Sequence, residues 1–89
     1  MMIQEKVPGG KLVCVEVESS GKRIEKIRIT GDFFLYPEET LEKIERALTG
    51  AGIKDDLAKI VAGILSENNA QFIGVTPEDL ERMIRKVVL

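Results

Sequence analysis

Apolar and polar positions alternate along the first third of the chain and then change period. From Leu12 to Glu18, Val13, Val15 and Val17 share one face while Leu12, Cys14, Glu16 and Glu18 share the other, the period-two signature of a half-buried strand. Ser19-Ser20-Gly21-Lys22 reads as a hairpin turn, and Arg23 to Thr30 as the returning strand. Ile27 and Ile29 fall on one face of that strand, but Ile24 falls on the other under strict alternation. A β-bulge near Glu25-Lys26 would bring all three inward. Without a bulge, Ile24 would cover the outer face beside Leu12 or Cys14, and the pattern leaves both arrangements open. Upstream, Ile3 to Val7 is a candidate edge strand, ended by Pro8-Gly9-Gly10 because proline lacks an amide proton and paired glycines open positive φ.

The period changes at Gly31-Asp32-Phe33-Phe34-Leu35-Tyr36-Pro37, which holds three of the protein's four aromatic side chains. Pro37 suits the first position of a helix, with Glu38 and Glu39 at the positive end of its dipole. Leu41, Ile44 and Leu48 then recur at helical spacing, and Glu39–Lys43 and Glu42–Arg46 are expected as i,i+4 ion pairs on the outer side. Thr49-Gly50-Ala51-Gly52 ends this helix. A second helix is predicted from near Asp55-Asp56, burying Leu57, Ile60, Val61, Ile64 and Leu65. Gln71 to Gly74 has room for one brief strand or an extended link. Thr76-Pro77-Glu78-Asp79 reads as a capping-box start to a last helix whose inward face is Leu80, Met83, Ile84, Val87 and Val88. The elements predict an α+β fold in one domain, residues 1–89. A small antiparallel sheet, a hairpin with a candidate third strand, would be packed on one face by two to three helices.

Composition narrows the function classes. A chain of 89 residues holds a single core. No apolar run approaches the roughly 20 residues a membrane-spanning helix needs, and no basic segment precedes an apolar one at the start, so a cytoplasmic protein without a membrane partner is expected. One cysteine and no histidine weigh against an internal disulfide, a zinc site and histidine-based triads. The net charge of −2 is unevenly spread, with six basic and four acidic residues in positions 1–30 against seven and eleven in 31–89. The hairpin end is therefore the part suited to an anion. Acidic helices and few aromatics count against nucleic acid as a partner.

Candidate chemistry is sparse. Pro8-Gly9-Gly10-Lys11 has glycine amides and a lysine suited to an anion, but Lys11 leads into a strand rather than a helix, unlike a phosphate loop. A tight turn entering the strand is the plainer account. Asp32 reads as a turn-former whose side chain accepts backbone amides, and Cys14 as a small strand residue. Phe33-Phe34-Leu35-Tyr36 differs, because consecutive side chains of an extended segment point to opposite sides. Either helices cover both sides or part of the segment is a partner-binding patch.

Four stretches in order resemble the C-terminal accessory domain of lipoate-protein ligases: Lys6-Val7-Pro8-Gly9-Gly10-Lys11-Leu12-Val13, Gly31-Asp32-Phe33-Phe34, the Glu39-to-Gly50 helix ending Leu48-Thr49-Gly50, and Ile73-Gly74-Val75-Thr76-Pro77-Glu78-Asp79-Leu80. The catalytic domain that usually precedes this one is not in the sequence, and the chain looks like the free-standing small subunit of a split, archaeal-type ligase. The resemblance implies an accessory role, with no catalytic or metal-binding residue here. Its partner would be a catalytic subunit that activates lipoate with ATP to lipoyl-AMP and then modifies a lysine of a lipoyl-carrier protein. ATP, magnesium and lipoate are then expected only in the complex, and carriers are met indirectly. On this resemblance Lys6, Gly9, Gly10 and Lys11 would lie toward the nucleotide, and Asp32, Phe33, Phe34 and Tyr36 at the subunit interface. A competing account makes these residues structural, and a small interaction module for an unrelated partner is the alternative function.

Overall fold

The computed structural model describes residues 1–88; Leu89, the last residue of the expected domain, lies outside the described residues. Three strands, β1 (Met2–Lys6), β2 (Leu12–Ser20) and β3 (Arg23–Gly31), form an antiparallel sheet in chain order. The pairing sets Ile3 opposite Val15 and Val15 opposite Ile29. The candidate edge strand thus exists, and the inward valines of β2 are fully buried. The register shifts so that Glu18 faces Lys26 while Ser19 faces Ile24, leaving Glu25 as the extra residue. The bulge turns Ile24 inward, where it is 1% exposed.

The chain then forms β4 (Phe34–Tyr36), α1 (Thr40–Leu48), α2 (Leu57–Glu67), β5 (Gln71–Ile73) and α3 (Pro77–Val88). Strands β4 and β5 pair antiparallel in a second, two-stranded sheet that the local pattern does not announce. Helix α1 packs on β3, α3 packs on β1 and β2, and α2 packs against both helices. Ile44, Leu48, Leu57, Val61, Leu80, Met83 and Ile84 meet the inner face of the three-stranded sheet in one core.

Two expectations about α1 are corrected. Pro37 is not its first residue: Tyr36 is still paired to Gln71, and the chain must turn before it can coil. The Thr40 and Leu41 amides donate to the carbonyls of Pro37 and Glu38 at 3.1 Å in that turn, and the helix starts at Thr40. The Glu39–Lys43 and Glu42–Arg46 pairs do not form among the described residues; Glu39 stands at the helix entrance, and the Lys43 Nζ donates instead to Asn68 Oδ1 at the end of α2, 2.6 Å away.

The other helix ends follow the sequence. Asp56 Oδ1 accepts the Lys59 amide at the start of α2. Thr76 Oγ1 accepts the Asp79 amide while Asp79 Oδ2 accepts the Thr76 amide, both at 3.0 Å, a reciprocal capping box.

Candidate functional site

The two groups of residues singled out in the sequence meet at one end of the molecule, where the β1–β2 loop, the β3–β4 corner and the exit of β5 converge. Gly31 makes the first junction. Its φ is +149°, and a Cβ there would stand 2.3 Å from the Leu12 carbonyl oxygen and 2.9 Å from Val13 Cα. Only glycine lets β3 end so close to the start of β2. The Asp32 amide then donates to the Leu12 carbonyl at 2.9 Å. The turn at Asp32 is held by its backbone; among the described residues its side chain, expected to accept amides, makes no hydrogen bond, and Asp32 is exposed.

Gly74 makes the second junction. With φ at +97°, it lies under the stem of Lys11, whose Cγ would be 2.6 Å from a Cβ at this position. The β1–β2 loop is closed by the Val7 amide donating to the Lys11 carbonyl and the Gly10 amide donating to the Val7 carbonyl, each at 2.9 Å. That second bond consumes one of the amides an anion would need. Gly9 and Gly10 therefore turn the chain at positive φ, and what this loop offers an anion is the charge of Lys6 and Lys11. Among the described residues no three acidic, histidine or cysteine side chains come together as a metal site.

The aromatic segment divides by alternation. Leu35 is buried, and Phe33 is half-buried with its ring edge-on to Phe72, centroids 5.4 Å apart. Phe34 and Tyr36 point the other way and are 67% and 77% exposed. Across the pairing Phe34 faces Ile73, itself 51% exposed, and Tyr36 faces Gln71. The protein's own helices leave this side of the ribbon open. Beside it a groove of about 450 Å³ runs between the end of β3 and α1, walled by Phe33, Phe34, Leu35 and Leu41 with Glu38 at its margin.

An ionic cluster under β1 is the feature sequence reasoning missed. Glu5 faces inward opposite Val13, where Arg82 of α3 reaches its Oε1 at 2.6 Å and Lys86 its Oε2 at 3.1 Å. Arg82 also binds Asp79 Oδ1 at 2.8 Å. Hydrogen bonds from Arg82 and then Lys86 hold the Glu5 carboxyl below its ordinary value. Burial pushes Asp79 up, but the bonds from Arg82 and Thr76 outweigh it and the net shift is downward. The two carboxylates in turn raise Arg82. The signal was present in the alternation, which puts Glu5 on the same face as Ile3 and Val7 and so demands a cationic partner.

Residues 1–84 match the family described as the bacterial lipoate protein ligase C-terminus. The chain is 36% identical over 78 residues to lipoate-protein ligase A subunit 2 of Thermoplasma acidophilum, spanning 85% of this chain and 79% of that protein. It also superposes with a TM-score of 0.79 and 30% identity on a chain from the solved structure of an archaeal bi-partite lipoate protein ligase and its E2 lipoyl domain from the same organism, covering 96% of each chain. With both its sequence and its fold matched over nearly their whole extent, this chain belongs to the lipoate-protein ligase C-terminal family.

Proposed function

We propose that this chain is the non-catalytic accessory subunit of a two-chain lipoate-protein ligase, required with the catalytic subunit for ATP-dependent activation of lipoate to lipoyl-AMP before transfer to lipoyl-carrier proteins. The observation that carries this reading is the likeness, over 96% of both chains, to a chain of a bi-partite ligase. ATP and lipoate are substrates of the assembly, with magnesium as companion of the nucleotide, and ATP places the assembly in the cytoplasm. Among the described residues no helix is long and apolar enough to cross a membrane.

The end described above supports the role in physical terms. Asp32, Phe33, Phe34 and Tyr36 supply a docking surface in which two aromatic side chains remain uncovered until a partner arrives. Lys6 and Lys11, held on the loop that Gly9 and Gly10 turn, flank that surface and face the nucleotide. A rigid module docked there orients the partner's site and excludes water from it. Gly31 and the buried side of Phe33 keep the structural roles of the competing account.

The test is lipoyl-AMP formation by the catalytic subunit with ATP, magnesium and lipoate, with and without this chain. Adenylate formed only when both chains are present is the expected result. Full activity of the large chain alone, with no complex on a sizing column, would replace this reading with an interaction module for another partner. Lys6→Ala with Lys11→Ala is expected to slow adenylation in the reconstituted pair; unchanged rates would remove the nucleotide-facing role while leaving the docking role standing.

A further inference from the structure

The three-stranded sheet has two edges, and they are finished differently. On β3 the Ile29 amide donates to Glu45 Oε2 of α1 at 2.8 Å and Ile29 is buried, so a helix side chain closes that edge. On β1 no such cap is present among the described residues. Met1 and Val17 exchange both backbone bonds, at 3.1 and 2.8 Å, and the Val7 amide donates to the Lys11 carbonyl. In an antiparallel pair these alternate residues turn both backbone groups toward the partner strand, so Met2, Gln4 and Lys6, which lie between them, turn theirs away from β2. All three residues are exposed, and their amides and carbonyls have no partner among the described residues.

The exposed apolar side chains are a second, independent observation. Outside the aromatic ribbon, the large hydrophobic residues left in water are Met1, Met2 and Leu12, at 61%, 61% and 42% exposure. Met2 lies on the outer face of β1, and Leu12 stands beside Lys6 on that same face. Charge then decides what can lie against the edge. Glu5 is neutralised by Arg82 and Lys86, so it does not bar a neighbouring strand as an unpaired carboxylate would. A second β1 running antiparallel, with Gln4 opposite Gln4, sets Met2 opposite Lys6 and Ile3 opposite Glu5 on each side of the axis. Every outward backbone group is then used and no like charges are opposed. Sliding the strands one way brings Glu5 onto Glu5, and sliding them the other way leaves Lys6 facing no residue. In the Gln4-centred register Met2 of one copy, the Lys6 stem of the other and its Leu12 form one apolar strip. Lys6 Cε lies 3.9 Å from where a Cβ at Gly10 would stand, which keeps the ammonium at the β1–β2 loop.

We infer that β1 is the pairing edge of a symmetric dimer of this chain, in which two copies join their three-stranded sheets through Met2–Lys6 about a two-fold axis at Gln4. This goes beyond the accessory-subunit reading and does not depend on it. The axis turns the two loop ends in opposite directions, so each copy keeps its docking end free for a catalytic subunit. A contact made by one short strand is small, and the association is therefore weak and concentration-dependent.

The experiment is sedimentation velocity on the full chain across a dilution series from about 1 mM downward, the range suited to so small an interface. Wild type is expected to pass reversibly from monomer to dimer as it is concentrated. Gln4→Pro removes an amide that the β1–β2 ladder does not use, so its monomer should keep the wild-type circular dichroism while association weakens about tenfold or more. Met2→Lys opposes like charges on both sides of the axis and is expected to weaken pairing about three- to tenfold. Combining it with Lys6→Glu is expected to restore pairing, because the two new side chains then face each other with opposite charge. A wild-type chain that stays monomeric throughout overturns the dimer, as does a dimer that a folded Gln4→Pro leaves intact and Phe34→Ala dissolves. Pairing indifferent to both charge variants overturns the Gln4-centred register. The accessory reading is decided separately, by lipoyl-AMP formation, so the two fail distinguishably.

Discussion

In the three-stranded sheet the inward residues Val13, Val15, Val17, Ile24 and Ile29 are at most 1% exposed, and the outer face of its β2–β3 hairpin carries Glu16, Glu18, Lys26 and Arg28. In the two-stranded sheet Leu35 and Phe72 likewise turn inward, but the outward residues are Phe34, Tyr36 and Ile73 with Gln71, so its outer face is mostly apolar. The first sheet is built like a folding unit, with a continuous buried apolar face and an outer face that is mostly charged, Met2 and Leu12 apart. The second is too short to stand by itself, since two-stranded ribbons are marginal in water, and it is held by Leu35 and by Phe72 packed on Phe33. Its outward aromatics, 67% and 77% exposed, contribute little to folding, which is why we propose them as a docking surface.

That contrast can be broken experimentally. The largest effect is expected where the first sheet meets its helices. Leu80→Ala empties a fully buried position and should cost about 2–5 kcal/mol of unfolding free energy, read by denaturant melts. Next, Gly31→Ala forces a Cβ against the Leu12 carbonyl at a positive φ and should cost about 1–3 kcal/mol, by strain rather than lost burial. A shift below a few tenths would show that the β3–β4 corner is soft.

Acid is expected to act on the first sheet before the second. Glu5 and Asp79 both have lowered values in the folded state, so the unfolded chain binds more protons. Their stabilisation is complete above the unfolded carboxylate range at about pH 4 and is lost as pH falls through the lowered folded values. Melts taken from neutral to acid should therefore decline in that window, and Glu5→Gln should flatten part of the decline. The smallest effect on stability belongs to Phe34→Ala, expected within about 0.5 kcal/mol of wild type, with weakened binding to the catalytic subunit as its only large consequence. A strongly destabilised Phe34→Ala would erase the distinction between the two sheets.

The parts of the fold that short-range pattern controls were legible. Alternation placed β2 and its buried valines, and the Thr76–Asp79 spacing placed the start of α3 down to its reciprocal bonds. Ile24 was ambiguous because one residue cannot distinguish a bulge from an outward side chain; the register with Ser19 decides it. The start of α1 was misplaced because Pro37 fits a helix by its ring alone, while the pairing of Tyr36 with Gln71 lies far along the chain. The same distance hides the second sheet and the Glu5–Arg82 contact, whose residues are 77 positions apart. At the candidate site, the residue types were visible but not their meeting, because Gly31 meets the backbone of Leu12 and Val13, and Gly74 the side-chain stem of Lys11, only once distant segments are folded together.

The bond from the Ile29 amide to Glu45 has a consequence for how the protein behaves in a crowd of its own copies. Left uncapped, the end of β3 would be an edge on which the same edge of a second copy could pair. The Glu45 carboxylate occupies that edge and places a negative charge where a second strand would have to lie. Glu45→Ala is therefore expected to cost about 1–3 kcal/mol of stability, because the buried Ile29 amide loses its acceptor, and to let copies pair through β3 as concentration rises, which light scattering across a dilution series would reveal. One side chain on α1 thus closes the edge of a strand it does not belong to.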